Sequence, residues 1–168
     1  MCELQVNIRD FETDDSIALS RMICDTLQQS NSRDYTEEQI ANFLEMYTPE
    51  KLCQDAAARS IFVAEMESKI VGTIGLAKHN NRPGCAILLS LFVDPHYQKR
   101  GIGRMLVAYV ENLALKHPSH TMVVPSSLTA HGFYQKLGYV DEKPNTNPEA
   151  INIWMYKKIN NDAIDLED

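Results

Sequence analysis

The stretch Leu88 to Leu106, LLSLFVDPHYQKRGIGRML, runs from an apolar strand-like segment through a polar turn into a helical pattern that begins near Gly101. Such a junction can bind an anion. The first turn of a helix has amide N–H groups without internal partners, and its dipole places about half a positive charge there. Gly101 and Gly103 keep side chains out of the way, so that a diphosphate can approach the backbone. Lys99, Arg100 and Arg104 add positive charge locally to a chain whose formal charge is −7.

A second stretch, Ser126 to Tyr139, reads SSLTAHGFYQKLGY and places Tyr134 on an amphipathic helix stopped by Gly138. Gln98, Gly101 and Gly103 resemble the Q/R-x-x-G-x-G/A signature of the GNAT N-acetyltransferases. Ala130, Phe133, Tyr134, Gly138 and Tyr139 resemble that family's later A-x-x-F-Y-x-x-x-G-F/Y helix. Phe62 to Gly75 is similar to its hairpin, so the resemblance runs from Val6 to Tyr156.

The resemblance implies a GNAT fold and acetyl-CoA as co-substrate, with the acetyl group passing by direct attack to an amine of a small molecule or peptide. It assigns the coenzyme diphosphate to Gln98, Lys99, Arg100, Gly101, Ile102, Gly103 and Arg104. Backbone groups of Leu91, Phe92 and Val93 would pair with the pantetheine arm and present an N–H near the acetyl oxygen. Tyr134 would face the sulfur, and a phenol of ordinary pKa about 10 stays protonated at neutral pH and can donate to a thiolate as it forms. Two positions depart from the pattern. Ser127 stands where many relatives carry an Asn that binds the cofactor, and Ala86 to Val93 contains no carboxylate. The general base is therefore unassigned: His79, His120 and His131 are candidates by residue type, and ordered water or bulk solvent is the alternative. A catalytically silent acyl-CoA-binding module is the competing function. A dinucleotide-binding oxidoreductase is a third and poorer reading, given the late position of the glycines, the lack of G-x-G-x-x-G and no clear acidic ribose reader in a following βαβ unit.

Periodicity supplies the elements that position these motifs. Leu4, Val6 and Ile8 alternate as a first strand, Asp14 or Asp15 stands at an N-cap, and Ile17, Leu19, Met22, Ile23 and Leu27 recur at helical spacing. Thr36 and Gln39 form a capping box for a helix bearing Ile40, Phe43, Leu44 and Tyr47, and Pro49 opens a short helical piece. A hairpin joins Ile61–Met66 to Ile70–Ala77. Ala86–Val93 is apolar enough for a central strand covered on both faces. Helices over Gly101–His117 and Leu128–Leu137 flank a strand at Thr121–Val124, and Ala150–Lys158 closes the sheet. The fold class is α/β with a mixed central sheet. The acceptor pocket should then be shaped by Asn31 to Tyr35, with Tyr35 as a wall, and by Asp141 to Glu149.

A length of 168 residues with 44% hydrophobic content suits one domain, 4–159, followed by an acidic tail, 160–168. Cys2, Cys24, Cys53 and Cys85 lie far apart and form no metal-ligating set, which reads as free thiols in a reducing compartment. With no basic, apolar leader and no apolar run of bilayer length, the expected location is the cytoplasm, away from membranes. The acidic balance argues against a nucleic-acid partner. Apolar strand and helix faces leave a homodimer open.

Overall fold

The computed structural model of the chain describes residues 5–144 and 146–159. Leu4 and the acidic tail lie outside the described residues. Successive strand residues point to opposite faces, and here both faces are covered. In the strand Ser60–Met66 (β2), Phe62, Ala64 and Met66 enter one core while Ile61 and Val63 enter another. The first core is closed by a helix at Ile102–Lys116 (α4), through Ile102, Leu106, Val107, Val110 and Ala114. The second is closed by a helix at Ser16–Gln29 (α1), through Leu19, Met22, Ile23 and Leu27. Each fully buried aliphatic side chain contributes about 2 kcal/mol, so packing rather than helix propensity fixes α4 on the sheet.

The remaining elements are strands at Asn7–Asp10 (β1), Lys69–Lys78 (β3), Cys85–Val93 (β4), Thr121–Ser127 (β5), Val140–Asp141 (β6) and Asn152–Lys158 (β7), with helices at Glu37–Met46 (α2), Pro49–Ala58 (α3) and His131–Lys136 (α5). They form a mixed seven-stranded sheet in the order β1-β2-β3-β4-β5-β7-β6. Every pair is antiparallel except β4 and β5, which α4 connects.

That parallel pair is short. β4 and β5 are in register only at Cys85–Thr121, Ala86–Met122 and Ile87–Val123. Beyond Val123, β5 continues on β7 to Ser127, while β4 continues on β3 to Val93. The β3 register shifts between Thr73 and Gly75, opposite Phe92 and Leu89, which places an extra residue in β4. Ser90 lies there with φ +53°, the mark of a bulge that turns the strand away from its neighbour. The two strands therefore part, and Leu89, Leu91, Phe92 and Val93 are half-buried rather than covered on both faces as the apolar run predicts.

Local differences have local causes. The Thr36–Gln39 capping box forms as expected. Asp15 stands at the N-cap position of α1, but its side chain makes no cap bond there: it ends a 3-10 turn, accepts the Glu12 N–H at 2.8 Å and is held by Arg9. The helix expected from Leu128 starts at His131, because the Ser127 hydroxyl accepts the Ala130 N–H at 3.1 Å and makes residues 128–130 a turn. Pro125 lies within β5, where the strand has lost its β4 partner.

Candidate active site

The parting of β4 from β5 opens a cleft of about 900 Å³ that reaches from the start of α4 to the facing side of α2 and α3. Of the residues singled out from sequence, Leu91, Phe92, Val93, Gln98, Lys99, Gly101, Ile102, Gly103, Arg104, Ser127 and Tyr134 line it. Arg100 does not; its guanidinium lies over the Tyr97 ring, 5.2 Å from the centroid.

At the α4 end the wall is backbone. The N–H groups of Gln98 through Arg104 meet no acceptor among the described residues, and the first bond of the helix is Met105 N–H to the Gly101 carbonyl at 3.0 Å. Lys99 and Gly101 both have positive φ, +61° and +83°. A Cβ at 101 would meet nothing within 4 Å, so glycine is required there by conformation and not by crowding. Gly103 is the reverse case: a Cβ would lie 3.2 Å from Cζ of Phe133, so its bare backbone is what lets α5 pack against the start of α4. The side chain of Gln98 is occupied in holding the turn, donating to the Val93 carbonyl at 3.0 Å and to the Ser30 hydroxyl at 3.1 Å. Its backbone N–H remains for an anionic ligand. Open N–H groups beside Lys99 and Arg104 suit a diphosphate.

Tyr134 is buried between Phe133 and Tyr139, with ring centroids at 5.3 and 5.4 Å. Its hydroxyl has no hydrogen-bond partner among the described residues. Burial pushes the phenol well above the usual tyrosine range, so it carries its proton at any physiological pH. Tyr139 is held differently, its hydroxyl donating to Glu111 at 2.8 Å, with Lys157 on the same carboxylate.

The far end of the cleft is built from side chains. Asn31 and Tyr35 line it, as expected of the loop after α1. Tyr35 is buried, accepts the Leu128 N–H at 2.8 Å and donates to the Ile151 carbonyl at 2.7 Å, which ties that loop to β5 and to the approach of β7. The described residues of 141–149 are absent from the lining; Ile151 and Asn152 take the place expected of them. None of His79, His120 and His131 lines the cleft. His131 is instead 2.7 Å from Asp141. Four residues that sequence reasoning does not single out as functional contribute here: Tyr47, Asp55, Arg59 and Ser90. Ser90 was visible as the one hydroxyl in an apolar strand; Asp55 in α3 and Arg59 just past its end are four apart, a spacing that marks only an i, i+4 pair. Among the described residues no group of His, Cys, Asp or Glu could hold a metal ion, and no helix is long and apolar enough to cross a membrane.

A family model for the GNAT acetyltransferase domain matches residues 31–159. The chain belongs to the GNAT family. It is 25% identical over 135 residues to YafP, an uncharacterised N-acetyltransferase of Escherichia coli, covering 80% of this chain and 81% of that one. Solved GNAT structures reach further toward the amino terminus. The PaiA N-acetyltransferase of Thermoplasma acidophilum, crystallised with coenzyme A, superposes with a TM-score of 0.77 at 24% identity over 92% of this chain and 99% of its own. A GCN5-related N-acetyltransferase of Rhodopseudomonas palustris gives 0.80 at 24% identity, covering 94% and 98%. The GNAT fold thus includes α1, which the family model leaves outside its match.

Proposed function

We propose that this GNAT protein transfers an acetyl group from acetyl-CoA to an amine of a small molecule or peptide in the cytoplasm, with Tyr134 as general acid. The observation that carries this reading is the convergence on one cleft of open N–H groups at Gln98–Arg104, the unpaired edge of β4 and the free hydroxyl of Tyr134. Backbone amides at the start of α4, with Lys99 and Arg104, hold the diphosphate. Leu91, Phe92, Val93 and Ser127 line the path of the pantetheine arm. The bound thioester supplies the activated acetyl group. The protein's part is to fix the amine against it, offer a backbone N–H to its carbonyl oxygen, and hold on Tyr134 the proton that the departing sulfur needs. The coenzyme A bound to the Thermoplasma acidophilum structure supports the cofactor assignment.

The rival reading, a silent acyl-CoA-binding module, draws support from the base. Among the described residues Asp55 is the only carboxylate lining the cleft, and it is paired with Arg59. Solvent then has to take the amine proton, or no transfer occurs.

Tyr134→Phe tests the assignment, because it removes a hydroxyl without a partner among the described residues and leaves the ring packing in place. Single-turnover kinetics should show the chemical step slowed about 10²-fold, with acetyl-CoA affinity unchanged by titration. An undiminished step would return Tyr134 to a packing role.

A further inference from the structure

At the far end of the cleft, beside β4, one cation is short of acceptors. Arg59 follows the last residue of α3 in extended conformation (φ −148°, ψ 161°), which brings its side chain to the cleft, where it is 17% exposed. A guanidinium carries five N–H donors. Here only Nη2 is engaged, with Asp55 Oδ2 at 2.7 Å and the Ser90 hydroxyl at 3.3 Å. Nη1 has no acceptor among the described residues, and Nε is the only buried side-chain nitrogen or oxygen among them without a partner. Nε is closed off from the cleft, so the donor left for a ligand is Nη1, and an open guanidinium N–H without an acceptor in a ligand cleft points to an acceptor that arrives with the ligand. The surroundings define the rest of that ligand: Phe43, Met46, Tyr47 and Ile151 line the same end and offer apolar and aromatic surface.

We propose that Arg59 recognises an anionic group of the acceptor, so that the preferred substrate is an amine on an apolar or aromatic body that also bears a carboxylate. This rests on the transferase reading above. Asp55 fixes the guanidinium by an i, i+4 pair and cancels its charge at long range, leaving selection to the hydrogen-bonding fork at contact. Ser90 places the fork next to Leu91–Val93, so the carboxylate is bound close to the reacting end and its absence is felt in the bound geometry. A cationic acceptor fits less well, because Asp55, the one carboxylate among the described lining residues, already accepts from Arg59.

Titration calorimetry of the protein saturated with coenzyme A tests this. The probes are L-phenylalanine, L-leucine and longer-chain ω-amino acids, each beside its primary amide, which removes the charge and keeps the body. At least one acid should bind ten times or more tighter than its amide. Arg59→Gln should abolish that preference without altering coenzyme A affinity, and Arg59→Lys, which keeps the charge but not the fork, should retain only part of it. Thermal melting checks that both variants are folded. Equal binding of acids and amides, no binding of any acid, or an acid preference that survives in Arg59→Gln would each overturn the proposal. Thiol release from acetyl-CoA, followed with the same probes, separates the two levels. Acid-selective binding without thiol release supports Arg59 and counts against acetyl transfer; thiol release without acid preference does the opposite.

Discussion

The two ends of the cleft are made of different material. The end proposed for the coenzyme is backbone from one contiguous stretch, Gln98–Arg104, presented by a helix start and two glycines. The end proposed for the acceptor is side chains drawn from α2, α3, the loop after α1, the β4 bulge and the approach to β7. A backbone site depends on conformation and tolerates change in most side chains around it. A side-chain site can be rebuilt by substitution without touching the other end. One end can therefore stay constant while the other is fitted to a substrate, and substitutions should separate the two functions cleanly.

The largest effect should come from Tyr35→Phe at the acceptor end. Losing the hydroxyl leaves the Leu128 N–H and the Ile151 carbonyl without their shared partner, which should cost about 2 kcal/mol of stability in denaturant unfolding. Acetyl-CoA affinity should be unaffected; a large loss there would mean that the two ends are coupled. Next is Gly103→Val. Here the new side chain meets the Phe133 ring and intrudes where the diphosphate approaches, so calorimetry should show acetyl-CoA binding weakened about tenfold, or about 1.4 kcal/mol. The order of preference among amines should not change.

Gly101→Ala isolates conformation from crowding. Nothing obstructs the added methyl, but φ +83° is a left-handed conformation that costs a residue with a Cβ about 1 kcal/mol, which should appear as a small drop in melting temperature. Smallest of the four, and outside both ends, is Asp15→Asn. The Arg9 guanidinium bonded to Asp15 holds this carboxyl below the usual carboxylate range, and the Glu12 N–H adds to the effect against the opposing cost of burial. A lowered folded-state pKa stabilises the fold fully above the unfolded-chain value and ceases to do so as pH falls through the lowered value. The wild type should therefore melt higher than Asp15→Asn at neutral pH, by about 0.5 kcal/mol given the partial exposure of the pair, and the gap should close in acid. Neither acetyl-CoA affinity nor amine preference should respond.

The same contrast decides what could be read from sequence. The helix start proposed for the coenzyme was legible as a structural feature because Gly101 takes its positive φ in a local turn, and the Phe133–Tyr134 helix shows its spacing in the sequence. Gly103 was legible for an incomplete reason: its packing against Phe133 is a tertiary contact. The half-open face of β4 was not legible, since Ala86–Val93 looks like any buried strand until the short register with β5 and the Ser90 bulge are known. Arg59 was invisible for a similar reason. An i, i+4 Asp–Arg pair looks the same whether it faces solvent or a cleft, and only its missing acceptors set it apart.

The most direct test is the release of free thiol from acetyl-CoA by the wild-type protein, measured across a panel of primary amines with mass detection of the acceptor. Transfer at this cleft predicts thiol formed in step with an acceptor that has gained an acetyl group. Saturable acetyl-CoA binding with no amine raising thiol release above the protein-free rate would contradict it and leave an acyl-CoA-binding module in its place.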